Sequence, residues 1–131
     1  MARVCILMNC YNGEAFLKEA IDSVYAQTYD DWQIVFIDNC STDSSAAIVG
    51  QYDEKIRYFK TPEPMSLCQA RVFARPHVTG EFLCVLDVDD LWLPEKLEKQ
   101  VAVMDAHPEV GLCYTNTLYF SEHEQMPAYD A

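Results

Sequence analysis

The feature that most limits the fold of this chain is a recurrence of short, almost continuous apolar runs with helix-patterned stretches between them. "RVCILM" (3–8), "WQIVFI" (32–37), "IRYF" (56–59), "FLCVL" (82–86) and "VGLCYT" (110–115) each have the length of a strand. A strand that is apolar on both alternations is covered on both faces, as in a parallel sheet flanked by helices. The predicted class is therefore α/β: a doubly wound, mostly parallel sheet with helices on both faces and right-handed crossovers.

The intervening stretches carry helical spacing. "NGEAFLKEAIDSVYAQTY" sets Phe16, Leu17, Ala20, Ile21 and Val24 on one face, with Asn12 as a candidate N-cap. "STDSSAAIVGQY" predicts a shorter helix capped by Ser41 or Thr42 and ended by Gly50. "PMSLCQARVFARPHV" predicts a helix that Pro76 breaks or kinks. "LPEKLEKQVAVMDAH" is the clearest, with Pro94 in its first turn, Glu95 and Lys99 paired at i,i+4, and Leu97, Val101 and Met104 as the buried stripe. Residues 1–117 read as one domain, and 118–131, where periodicity is lost, as an irregular tail that begins a further region.

Nine basic against 21 acidic side chains give a net charge of −12, which excludes nucleic acid and anionic membrane as general partners. Cys5, Cys10, Cys40, Cys68, Cys84 and Cys113 show no CxxC or zinc spacing, so they read as reduced thiols of a cytoplasmic protein. No run approaches the roughly 20 apolar residues of a membrane span. His77, His107 and His123 have no ligand-like spacing and read as solvated surface residues. The four glycines, at 13, 50, 80 and 111, form neither a GxGxxG nor a GxxxxGK[ST] loop.

Doubly wound sheets bind ligands beyond the carboxyl ends of their strands, and the polar clusters "NCYNG", "DNCSTD" and "DVDD" fall there. In the last, Asp87, Asp89 and Asp90 repel one another unless a cation or a set of donors compensates them. A period of two sends Asp87 and Asp89 to one side, with Asp90 opening the turn. Such hard oxygen ligands suit magnesium or manganese, with a diphosphate completing the shell. A plain turn cap needs only one of the three. An EF-hand is excluded because Trp92 stands where its glycine belongs and a strand, not a helix, precedes the motif, and an Asp-x-Asp phosphatase because that motif lies on the first strand and is followed by Thr. Asp38 and Asn39 can meet the edge of a base or serve as ordinary turn residues. Tyr11 can stack on a base or simply pack at a helix entrance. The Arg71 guanidinium suits a diphosphate, or a surface salt bridge. No Ser-His-Asp or Cys-His constellation stands out.

Taken in order, "YNGEAFLKEAIDSVYAQTYDDWQIVFIDNCSTDSS", "AR" at 70–71 and "GEFLCVLDVDDLWLPEKLEKQ" resemble the nucleotide-sugar-binding half of the family 2 glycosyltransferases, of GT-A fold, over roughly residues 3 to 116. The resemblance implies an inverting transfer from a nucleoside-diphosphate sugar, in the first place a UDP-sugar, to a saccharide or lipid-linked acceptor, with Mn2+ or Mg2+ as cofactor. It implies that Tyr11 lies against the base with the backbone of Asn9 and Cys10 beside it. Asp38 or Asn39 would read the uracil-type edge, and Arg71 would face the diphosphate. Asp87 and Asp89, flanking Val88, would form the DxD pair with Asp90 close behind and Asp89 the foremost ligand. Asn9, Asn39, Cys40 and Val72 depart from the Pro, Asp, Gly and Asn common at those positions of the family. The family's general base lies downstream, so the chain reads as an amino-terminal portion of a transferase. The other readings are a sugar-nucleotide-binding module without transfer activity and a sugar-1-phosphate nucleotidyltransferase. The latter would carry a basic, glycine-rich loop after the first strand.

Overall fold

Four of the five expected strands form, and together they make one parallel sheet. The computed structural model describes residues 1–121 and 125–127. Its elements are β1 (Val4–Cys10), α1 (Leu17–Tyr25), β2 (Trp32–Asp38), α2 (Ser45–Val49), β3 (Ile56–Lys60), α3 (Leu67–Ala74), β4 (Phe82–Val85) and α4 (Lys96–Ala106). Two short strands, β5 (Leu118–Phe120) and β6 (Gln125–Pro127), follow. The main sheet runs β3-β2-β1-β4 with every neighbouring pair parallel. The expected fold class is the one observed.

The continuous apolarity of the strands follows from their two covers. Val4, Ile6 and Met8 of β1 and Trp32, Ile34 and Phe36 of β2 pack with Leu17, Ile21 and Val24 of α1 and Leu97 and Val101 of α4. The alternate residues, Cys5, Leu7, Val35 and Ile37, pack under Ala70 and Ala74 of α3. Two alanines let α3 lie close to the sheet, so most of its outer surface is exposed. Met104, expected in the buried stripe of α4, is only half buried.

The helix ends differ from expectation. Asn12 is not the cap of α1: it sits in a left-handed conformation at φ 52°, and a turn over 14–16 precedes the helix. Neither Ser41 nor Thr42 caps α2, whose N-cap position is Ser44, while Gly50 does close it. At both places the side chains that would have capped are spent on the opposite loop. Ser66 caps α3 in a reciprocal capping box with Gln69, and Pro76 converts its end into a 3-10 turn over Arg75–His77. His77 is half-buried rather than freely solvated, its ring stacking on Phe59 at 3.7 Å.

The stretch 110–115 is not a strand. An apolar run becomes a strand only where a neighbour takes up its backbone ladder. Here the link is to a helix, Gln100 Nε2 donating to the Cys113 carbonyl at 3.0 Å, and Leu112 and Tyr114 stay exposed. The tail expected to be irregular instead contains the antiparallel pair β5–β6. Glu122, His123 and Glu124 lie outside the described residues.

Gly80 marks the one turn that demands glycine. At φ 118° a Cβ there would meet the Arg3 carbonyl oxygen at 2.9 Å, and this close approach lets Glu81 and Phe82 bond that same oxygen and start β4 beside β1.

Candidate functional site

The loops after β1 and β2 are zipped together at the carboxyl edge of the sheet. Three successive backbone N–H groups of the first loop, Asn12, Gly13 and Glu14, donate to Ser41 Oγ, Ser45 Oγ and Asp43 Oδ2, each at 3.0 Å. In return Asn12 Oδ1 accepts from Thr42 N at 2.8 Å, and Glu14 Oε2 accepts from Ser44 N at 2.9 Å. Much of the polarity of "NCYNG" and "DNCSTD" is therefore structural. What it leaves free is Tyr11, 62% exposed at the lip of β1.

Asp38 and Asn39 are neighbours on opposite faces, as a period of two requires. Asp38 has no exposed surface, and its carboxylate accepts from Ser41 N and from the Tyr58 hydroxyl. Burial, and then the Asp38 carboxylate, push the Tyr58 phenol well above its ordinary value, so it stays a donor. Asn39 is clipped to the loop before α3: its Nδ2 donates to the Met65 carbonyl at 2.6 Å, and its Oδ1 accepts from Met65 N at 3.0 Å and Thr61 Oγ1 at 3.2 Å. One amide N–H of Asn39 is left. Cys40 follows at φ 59°, a conformation natural to glycine, with its thiol donating to the Thr61 carbonyl. A glycine would take this conformation without strain, which is a local geometric reason for the glycine that the resemblance leads one to expect here.

The acidic cluster sits one step beyond the place expected. β4 stops at Val85, so Asp87, Asp89 and Asp90 belong to a turn closed by Asp90 N on the Asp87 carbonyl, and all three are exposed. Val88 points the other way, into the core cluster and against Gly13, where a Cβ would lie 3.1 Å from its Cγ2. The acidic turn and the Tyr11 loop are thus in contact, while Asp87 and Asp89 flank an inward residue. Among the described residues no three His, Cys, Asp or Glu side chains converge as a metal cage. The donor set nevertheless fits a hard cation, because carboxylate oxygens suit Mg2+ or Mn2+ and a diphosphate brings its own.

The Asp90 carboxyl, though exposed, is pushed up first by partial loss of solvent and then by repulsion from Asp89 and Asp87. A carboxyl harder to ionise in the folded than in the unfolded state costs stability once it is charged. Asp90→Asn is therefore expected to raise the thermal midpoint of the ligand-free protein at pH 7. The gain should fade as pH falls through the ordinary carboxylate range, as followed by thermal melts between pH 3 and 7. An unchanged gain at acid pH would remove the repulsion argument.

Arg71 projects from the exposed surface of α3, one residue after buried Ala70, and makes no ion pair among the described residues. Asn9 alternates with Leu7 towards the α3 face, and both polar atoms of its amide are buried without a partner. Such a group costs about 1–3 kcal/mol, and no hydrogen-bond partner among the described residues offsets it. Cys10 is buried beside Gly13. Sequence reasoning passed over Tyr58, Thr61, Ser23 and Gln27, which orient these loops. Gln27 lies two residues beyond α1, inside the stretch that carries the family resemblance.

A parallel sheet in the order β3-β2-β1-β4, with an exposed tyrosine and an acidic turn beyond its strand ends, is an α/β architecture of the GT-A type. Comparison narrows the class: a sequence model of glycosyl transferase family 2 matches residues 5–130, and the chain belongs to that family. EpsE of Bacillus subtilis is 32% identical over 124 residues, covering 92% of this chain and 45% of EpsE. Among solved structures, S. aureus TarS in complex with UDP matches with a TM-score of 0.76 and 26% identity over 81% of this chain and 33% of that one. The mannosyltransferase PcManGT of Pyrobaculum calidifontis, in complex with GDP-Man and Mn2+, gives a TM-score of 0.72 and 26% identity over 79% of this chain and 32% of that one. The chain spans less than half the length of these relatives.

Proposed function

We propose that this chain holds the donor half of a transferase that moves a sugar from a UDP-sugar, with inversion, and that a divalent cation enters with the donor at the acidic turn. The observation that carries the reading is the exposed Asp87–Asp90 turn in contact with the loop that presents Tyr11. The UDP complex of TarS supports a uridine donor, and the Mn2+ complex of PcManGT supports a cation.

In this reading the Tyr11 ring stacks on the base. The remaining Asn39 N–H donates to a carbonyl on the base edge, a task the fully buried Asp38 carboxylate is not placed to perform. Asp38 instead holds the Asn39–Ser41 turn in shape through Ser41 N. Arg71 meets the diphosphate from α3. Asp89 and Asp87 offer oxygens to the cation, with Asp90 behind them. When bound, the cation supplies positive charge against the leaving diphosphate. No side chain described here is assigned as the general base.

Calorimetric titration with UDP and with GDP, each with and without Mn2+, tests the reading. UDP should bind at least about tenfold more tightly with Mn2+, and more tightly than GDP. Equal UDP affinity with and without metal would remove the cation, and absence of UDP binding would remove the donor.

A further inference from the structure

The acidic turn has two anchors. On the β4 side, Leu86 N donates to the Leu7 carbonyl at 3.1 Å. On the far side, Trp92 N donates to Ser23 Oγ at 3.2 Å. Between them, residues 87–91 have neither helix nor strand to hold them. Val88 and Trp92 pack against the core cluster at either side of the turn, while Leu91 and Leu93 are exposed, so packing fixes two points and leaves the backbone between them to hydrogen bonds.

The second anchor is built by the last turn of α1 and the residues just beyond it. Gln27, 5% exposed, donates from Nε2 to the Leu93 carbonyl at 2.8 Å and to the Ser23 carbonyl at 3.1 Å. Its Oε1 accepts from Leu97 N at 3.0 Å. One buried amide thus ties the strand-to-helix connection at both ends of its Leu93–Leu97 segment and joins it to α1. Thr28 repeats the link beside it, its N donating to the Pro94 carbonyl at 2.9 Å. Only a side chain with donor and acceptor on one rigid plane bridges a carbonyl and an N–H in this way.

We infer that Gln27, seconded by Ser23, is a positioning residue for the acidic turn and sets the metal-dependent share of donor binding. The inference rests on the donor reading above. Ligand groups must be held in place by a supporting shell if a cation and a diphosphate are to meet them together; partners that bond the ligands directly are worth about 10–100-fold in metal affinity, and Gln27 and Ser23, which hold the backbone beyond the ligands, belong at the lower end of that range. A buried amide that served the helix alone would have no reason to reach across to the Leu93 carbonyl.

The test uses Gln27→Met, which keeps the volume and loses the bonds, and Ser23→Ala, which removes the Trp92 anchor with less risk to folding. UDP affinity is measured with and without Mn2+, well below the thermal midpoint of each variant, and the midpoint itself is recorded. The ratio of the two affinities should fall about tenfold in Gln27→Met and less in Ser23→Ala, with metal-free UDP binding unchanged. Gln27→Glu, which keeps the acceptor for Leu97 N, should lie between Gln27→Met and the unaltered chain. A purely structural role would lower the midpoint and leave the ratio alone. If the unaltered chain shows a Mn2+ effect and both variants keep it, the positioning role is overturned and the donor reading stands. If the unaltered chain does not bind UDP, the donor reading falls and the inference falls with it.

Discussion

Asp89→Ala is expected to abolish the Mn2+-dependent part of UDP binding, a loss of about a hundredfold or more, equivalent to roughly 3 kcal/mol. Two effects of opposite sign meet at this residue, and their magnitudes separate them. Removing one of three exposed carboxylates relieves repulsion with its neighbours, an effect that solvent screens and that is worth at most about 1 kcal/mol. Removing a cation ligand withdraws a charge-assisted contact at the point where metal and diphosphate meet. The variant should therefore be marginally more stable when empty and far weaker with ligand. Asp89→Asn keeps the shape and one neutral oxygen, so it should recover only a small part of the affinity. Calorimetry with and without Mn2+ on both variants, beside thermal melts, reads the two effects separately. Wild-type binding by Asp89→Ala would mean that the turn is acidic for some other reason.

The sheet was legible because its cause is local and repeated. The runs at 3–8 and 32–37 are apolar on both alternations and find a cover on both faces, while the runs at 56–59 and 82–86 lie at the sheet edges, where Tyr58, Leu83 and Val85 stay exposed. The run at 110–115 has the same pattern and fails because pairing is not written in the run: it depends on a neighbouring strand, and this stretch meets α4 instead. The polar clusters were legible as places and less so as roles. Asp, Asn, Ser and Thr serve a ligand, a cap or a crossing hydrogen bond with the same atoms, and only the fold shows that Asn12, Ser41 and Asp43 are spent across the gap between two loops. The same holds for Asp38 and Asn39, where the period of two that places strand residues also separates these adjacent groups. Gln27 was in view in "QTY", yet its reach of some 66 to 70 residues to Leu93 and Leu97 is a property of the tertiary structure alone.

Phe36→Ala should be the most damaging single change to the fold, costing about 3–5 kcal/mol. Phe36 is fully buried at the centre of the sheet, in register with Met8 on one side and Tyr58 on the other. Truncation opens a cavity under α1 and α4 that rigid strands cannot close, in a domain whose whole stability is of the order of 5–15 kcal/mol. Phe36→Leu, which nearly fills the space, should cost no more than about 1.5 kcal/mol, so the difference between the two reports the cavity and not the loss of an aromatic ring. The damage should also reach the carboxyl edge. Tyr58 stacks on Phe36 with ring centroids 6.0 Å apart, and its hydroxyl holds the Asp38 carboxylate. Tyr58→Phe removes that hydrogen bond without the cavity and should cost about 1–3 kcal/mol, Ser41 N still serving the carboxylate. Chemical denaturation of the three variants should place Phe36→Ala first, with Tyr58→Phe and Phe36→Leu below it. Equal costs for Phe36→Ala and Phe36→Leu would show that the sheet relaxes into the gap and that its centre is less tightly packed than the buried cluster around Phe36 implies.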